Sequence, residues 1–259
     1  MPTSQSVASV YGYKITKPPK SSKKQLLSDD IYIGLEWEVE NYTSSTAFSN
    51  SKLNTAGLIT KEDGTLRDNG REIIFREPLR GGDAIKAIDF VYDHPYFDQW
   101  KLGILGSTHL HVDVRDLTRD ELIRFLVFAA SVDEELFEIT NSHHRKESPF
   151  CVQAWNNIGW WQCIRLAHKN LNDFRGIGAG GRKYSSINLE SIGRYGSVEF
   201  RHSRCVNDKE VLLAYVNRVL LCKQMALDNG VSMQDGLAKI SGKNQFWVTK
   251  ITENFLCVD

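Results

Sequence analysis

The chain has 259 residues, 41% hydrophobic and 25% charged, enough for one large globular domain or two small ones with a sizeable core. Lys plus Arg and Asp plus Glu number 32 each, so the formal net charge is zero and gives no global electrostatic case for nucleic acid, a membrane surface or acidic partners. No apolar run is long enough to cross a bilayer, no signal peptide opens the chain, and Cys151, Cys163, Cys205, Cys222 and Cys257 are scattered without a C-x-x-C pair. Reduced thiols and a soluble, cytoplasmic protein are the expectation.

Residues 1–30 read as a flexible polar lead with Pro18-Pro19 and the basic run Lys20-Ser21-Ser22-Lys23-Lys24, in which Val10-Tyr11-Gly12-Tyr13 is the segment able to dock. Residues 31–259 read as a single domain without internal repeat or linker. Ile31 to Glu40 alternates: Ile31, Ile33, Leu35, Trp37 and Val39 fall on one side of an extended chain, and Glu36, Glu38 and Glu40 on the other. Neighbouring carboxylates at this spacing are only about 7 Å apart and repel, and a cation between them turns the repulsion into binding.

Asn41 to Gly57, rich in Ser, Thr and Asn, reads as a long loop or irregular hairpin. Asp63-Gly64 marks a tight turn before a strand over Arg71–Arg76, and Asp83 is placed to cap a helix through about Tyr92. Ser107 to Val114 alternates again, with His109, His111 and Asp113 on the polar side. Thr118-Arg119-Asp120-Glu121 is a capping box for a helix to about Ile139. Asn141 to Phe150 reads as a surface loop holding His143, His144 and Arg145, and Trp155 to His168 as a helix. Gly176 to Tyr184 matches neither a Walker loop nor a dinucleotide fingerprint and reads as a mobile flap ending in Arg182 and Lys183. Tyr184–Leu189 and Ser197–His202 read as a hairpin turning at Arg194-Tyr195-Gly196, and Asp208 as the cap of a helix over 209–228 ended by Gly230.

Side by side, the polar stripes offer Glu36 and Glu38, Asp63 and Glu72, His109 and His111, Glu199 and Arg201. Hard oxygen ligands with an imidazole suit Mg²⁺ or Mn²⁺ better than zinc. Several carboxylates with an Arg and a Gly-rich flap suit a nucleoside triphosphate held through divalent cations.

The ordered set Gly34-x-Glu36-x-Glu38, Asp63-Gly64-Thr65 with Glu72-Ile73-Ile74, His109-x-His111, Arg182 followed six positions later by Asn188, and Glu199-Phe200-Arg201 resembles the amidoligases of phages and bacteria. The resemblance spans about Ile31 to Arg204. It implies an α+β fold of the glutamine synthetase and glutamate–cysteine ligase kind, with a curved, largely antiparallel sheet, helices on its outer face and the polar stripes on its concave side. It implies ATP and Mg²⁺ or Mn²⁺ as cofactors, and carboxylate and amine substrates drawn from amino acids, peptides or protein side chains. By position, Glu36, His109 and Glu199 would hold one cation, Glu38, Glu72 and Asp63 a second, and Arg201 would contact phosphate. Arg182 and Asn188 would line the nucleotide or substrate cleft, and His111 would orient a neighbour or touch nucleotide. The pattern departs at Glu77, where a small hydroxyl residue is common before proline, and at Asp63, shorter than a Glu. Rival readings of the same stripes are a metal-dependent hydrolase or nuclease and a non-catalytic scaffold.

Overall fold

The computed structural model describes residues 6–14, 27–40, 42, 50–66, 69–94, 97, 106–169 and 184–240. The acidic strand is central. Strand β1 (Ile33–Val39) pairs with β3 (Arg71–Phe75) on one side and β4 (Ser107–Asp113) on the other. Beyond β3 lies β2 (Leu58–Glu62), and beyond β4 lie β6 (Ser197–Arg204) and then β5 (Ile187–Asn188). Every pairing in this open six-stranded sheet is antiparallel. With helices packed on it, the architecture is α+β, as expected.

Alternation decides the two faces. Ile33, Leu35, Trp37 and Val39 are at most 1% exposed, whereas Gly34, Glu36 and Glu38 are half-buried on the other face. The apolar face joins one core with α3 (Gly81–Tyr92), α4 (Arg119–Ser131), α5 (Asp133–Ile139) and α8 (Lys209–Leu227), in which Trp37, Phe125, Phe200 and Tyr215 are fully buried. Burying each such side chain stabilises by about 1.5–3 kcal/mol, offset by its share of conformational entropy. The helices therefore fix the strands from behind and leave the polar stripes to the opposite face.

Local signals hold at several ends. The Thr118 hydroxyl accepts from the Glu121 N–H at 3.3 Å, and Glu121 accepts from the Thr118 N–H at 2.7 Å. Asp208 accepts from the amides of Glu210 and Val211 at 2.8 and 3.3 Å and caps α8. Beyond α8, α9 (Met233–Ile240) crosses α4 so closely that a Cβ on Gly236 would lie 2.3 Å from the Phe128 ring.

Other expectations are corrected. The stretch from Asn41 to Gly57 is not all loop: Asn50–Thr55 forms α2, and β2, not assigned from the sequence, follows. Arg80, not Asp83, is the N-cap of α3, and Asp83 sits in its first turn, where its charge suits the helix dipole. The helix expected through Ile139 breaks at Val132, because the Asp133 side chain is drawn into the core by polar partners. Helix α6 (Ile158–Lys169) starts later than expected, after a 3-10 turn at Ala154–Asn156. The hairpin closes through a short helix, α7 (Glu190–Tyr195), ended by Gly196 in the left-handed region at φ 70°. Helix α8 runs to Leu227, next to the expected end, and its C-cap is Asp228 and not Gly230. Arg145 is not a surface residue: it is 9% exposed and its Nε donates to the Arg201 carbonyl at 3.3 Å.

Within the lead, Val7–Tyr11 forms α1, docked through the Val7 and Ala8 amides onto the Leu117 and Arg115 carbonyls at 2.9 and 3.0 Å. The basic run at Lys20–Lys24 and the Gly-rich segment from Gly176 to Lys183, including Arg182, lie outside the described residues.

Candidate functional site

The register of the sheet brings the polar stripes together. Glu36 lies opposite His109, and Glu38 lies opposite Glu72. His111 lies opposite Glu199, which in turn lies opposite Asn188. Residues directly opposite in an antiparallel pair project to the same face. Sequence positions from 36 to 201 thus meet on one surface.

Two sets of donor atoms result. In the first, ligand atoms of Glu36, His111 and Glu199 lie within 4.8 Å of one another; in the second, those of Glu38, Asp63 and Glu72 do so. The second set is the trio expected from the sequence. The first keeps the expected Glu36 and Glu199 and brings His111 to them, while the expected His109 lies within reach of the same two carboxylates. His109 instead stands between the sets. Its Nδ1 lies 3.3 Å from Glu36 and 3.4 Å from Glu199, and its Nε2 lies 2.9 Å from the Ser107 hydroxyl and 3.9 Å from Glu38.

Glu199 is held most firmly. Arg201 donates to one of its oxygens at 2.6 Å; Asn188 and Ser191 donate to the other at 2.5 and 3.1 Å. Asn188 also accepts from the Glu190 amide at 2.9 Å, so it serves Glu199 directly and does not line the neighbouring cleft. Arg201 keeps its Nε buried without a hydrogen-bond partner among the described residues. Asp63 does turn chemistry as well, accepting from the Thr65 amide and hydroxyl at 2.8 and 2.7 Å.

Charge crowding shows in the carboxyl groups. Burial would raise Glu36, but hydrogen bonds from His109 and His111 and their charges hold it well below the usual carboxylate range. Burial likewise opposes ionisation of Glu199, and His109, Arg201 and His111 outweigh it. Burial also disfavours a charged His111, yet Glu36 and Glu199 push it upward. Glu72 has too little relief: burial and then the charges of Glu36, Glu38 and Asp63 push it up to about 7 against a smaller opposing effect of His109. An oxygen-rich trio crowded enough to retain a proton fits a divalent cation, which would remove the repulsion.

Beside the first set opens a cleft of about 230 Å³. Gly34, Glu36, His111, Ile74, Tyr195, Lys61, Arg76 and Glu77 are among the residues that line it. Glu77, a rival carboxylate by sequence, therefore belongs to the cleft and to neither donor set.

Several contributors escaped the sequence. Ser107, two residues before His109 in the same stripe, hydrogen-bonds Glu38 and was legible from spacing alone. Behind the sheet, Asp133 accepts from Ser186 at 2.6 Å and lies 2.7 Å from His202 Nε2, all three fully buried. No local pattern announced that trio. The chain matches no family model and no curated protein. Cys151, Cys163, Cys205 and Cys222 are buried and free, and no helix among the described residues is long and apolar enough to cross a membrane.

Proposed function

We propose that this chain is an ATP-dependent, Mg²⁺- or Mn²⁺-requiring carboxylate–amine ligase built on a curved, glutamine synthetase-like sheet and working in the reducing cytoplasm. One observation carries the reading: two abutting oxygen-rich donor sets share one sheet face, with His109 between them and Arg201 beside Glu199.

A carboxylate is a poor electrophile, and bringing it to a triphosphate concentrates negative charge. Glu36, His111 and Glu199 would hold one cation and Glu38, Asp63 and Glu72 the other. When bound, such ions supply neutralisation of the phosphate and carboxylate charges that develop in the transition state. The protein's own groups do the rest. Arg201 presents a guanidinium at the edge of the first set, while Asn188 and Ser191 keep Glu199 oriented. The cleft beside Glu36 and His111 offers room for the base and sugar of the nucleotide. The substrate carboxylate oxygen takes the γ-phosphoryl group, releasing ADP, and the amine then displaces phosphate, losing a proton and forming the amide.

The test supplies ATP, Mg²⁺ and a panel of amino acids and peptides, with hydroxylamine as a general amine. Hydroxamate formation stoichiometric with ADP and phosphate is expected, and Glu36→Gln and Glu199→Gln should abolish it. Ion-dependent hydrolysis of a substrate without ATP would replace this reading with a metal hydrolase or nuclease. Biological activity that survives both substitutions would point to a scaffold.

A further inference from the structure

Resting on the ligase reading, we propose that Ser6–Tyr13 is a positioning strap that sets one wall of the nucleotide cleft. That wall is made of Tyr195, at the end of α7, and Arg115, in the connection from β4 to α4. Tyr195 is 61% exposed, and its ring stands edge-on to His111 at 6.0 Å and 83°. Left to itself a six-residue helix is marginal, so something else must hold α7 in place.

Buried Ile192 and the Ser191–Glu199 hydrogen bond supply part of that hold, and the strap supplies more. The Tyr11 and Tyr13 rings stack on each other with centroids 6.1 Å apart. Each faces a glycine near α7: a Cβ on Gly193 would lie 3.5 Å from Tyr11, and one on Gly196 would lie 3.1 Å from Tyr13. The Tyr13 hydroxyl donates to the Ile192 carbonyl at 3.1 Å. Its chain path is fixed by Gly12, in the left-handed region at φ 77°, and by the Tyr13 amide donating to the Ala8 carbonyl at 2.9 Å.

The same segment grips Arg115. The Ala8 amide donates to the Arg115 carbonyl at 3.0 Å, and a Cβ on Gly196 would lie 2.5 Å from Arg115 Cγ. Arg115 is thereby seated to donate through Nε and Nη2 to Asp113, both at 2.8 Å. Neither donor set includes a strap residue. The strap reaches the ion-binding groups only through α7, whose Ser191 donates to Glu199, while Arg201 and Asn188 hold that carboxylate from the strands.

Full-length Tyr13→Ala and the nearly isosteric Tyr13→Phe separate these effects, using a fluorescent ATP analogue with Mg²⁺, Mn²⁺ binding by electron paramagnetic resonance, and amide exchange over Glu190–Tyr195. Expected are Mn²⁺ affinity lowered clearly less than nucleotide affinity, faster exchange in α7, and nucleotide affinity lowered about tenfold in Tyr13→Ala and about fivefold or less in Tyr13→Phe, which loses one hydrogen bond only. Nucleotide affinity that stays at the wild-type value, with or without faster exchange, overturns the strap and leaves the ligase reading standing. Mn²⁺ binding that falls in parallel also overturns it, by showing a general loss of structure. Wild-type protein that binds Mn²⁺ but no nucleotide overturns the ligase reading first, and the strap with it.

Discussion

Glu38 and Glu72 face each other directly across the β1–β3 pair. Like charges opposed in this way destabilise an antiparallel pair by about 0.2–1 kcal/mol, and Asp63 adds a third carboxylate to the same spot. The arrangement is unfavourable for folding alone and favourable once a cation is present.

That relationship sets a pH dependence. Glu72 is pushed up to about 7 from an ordinary 4.5, by burial first and then by Glu36, Glu38 and Asp63. Between those values the native chain keeps a proton that the unfolded chain has released. The group's contribution to stability is therefore complete below about pH 4.5 and is lost as pH rises through about 7. In chelator, the melting temperature should carry this downward contribution across the interval, and Glu72→Gln should remove it. With millimolar Mn²⁺ the slope should reverse, because ionised Glu72 now has a partner. Melting curves from about pH 5 to pH 8 with and without Mn²⁺ check this, and identical slopes would count against the second cation position.

Glu199 is expected to matter for folding as well as chemistry. Glu199→Ala leaves Arg201 half-buried without its carboxylate and frees Asn188 and Ser191, so a loss of about 3–5 kcal/mol in urea unfolding is expected. Glu199→Gln keeps an acceptor for Asn188 and should lose clearly less. Equal losses would mean that the neutral amide recovers nothing and that the carboxylate charge carries the whole contribution.

Asp133 makes the third case. Asp133→Ala removes the partner of fully buried His202 and Ser186, with an expected cost of about 3–5 kcal/mol. Combining Asp133→Leu with His202→Phe replaces both polar groups by apolar ones and should recover a good part of the loss. A double variant no more stable than Asp133→Ala would show that the pair contributes more than its own satisfaction.

The contrast between these residues shows what the sequence could carry. Glu36, Glu38 and His109 were legible because strand alternation is local: each stands two positions from another polar residue on the same face. The caps at Thr118 and Asp208 were legible because a cap is a four-residue event. That His111 meets Glu199 depends on where β6 falls beside β4, which neither strand specifies alone. Arg145 stood in a string of charges that reads as solvated, and only its distant partner, the Arg201 carbonyl, shows otherwise. Helix α7 was missed because Gly193 and the β-branched Ile192 weigh against a helix, whereas the strap and the left-handed Gly196 hold it.

Between Thr108 and Leu110 the β4–β6 register slips, so that Arg201 and His202 together answer to His109. That supernumerary residue changes the phase of the strand. Upstream of it, Glu199 is timed to the acidic surface; downstream, consecutive His202 and Ser203 are both fully buried. Ordinary alternation carries Arg201 outward to Glu199 and His202 inward to Asp133, and the extra residue acts after them, letting Ser203 follow His202 into the interior. Removing that odd step would put the two halves of β6 on a common beat, and Ser203 and the exposed Arg204 would have to trade faces, turning a cation toward the interior.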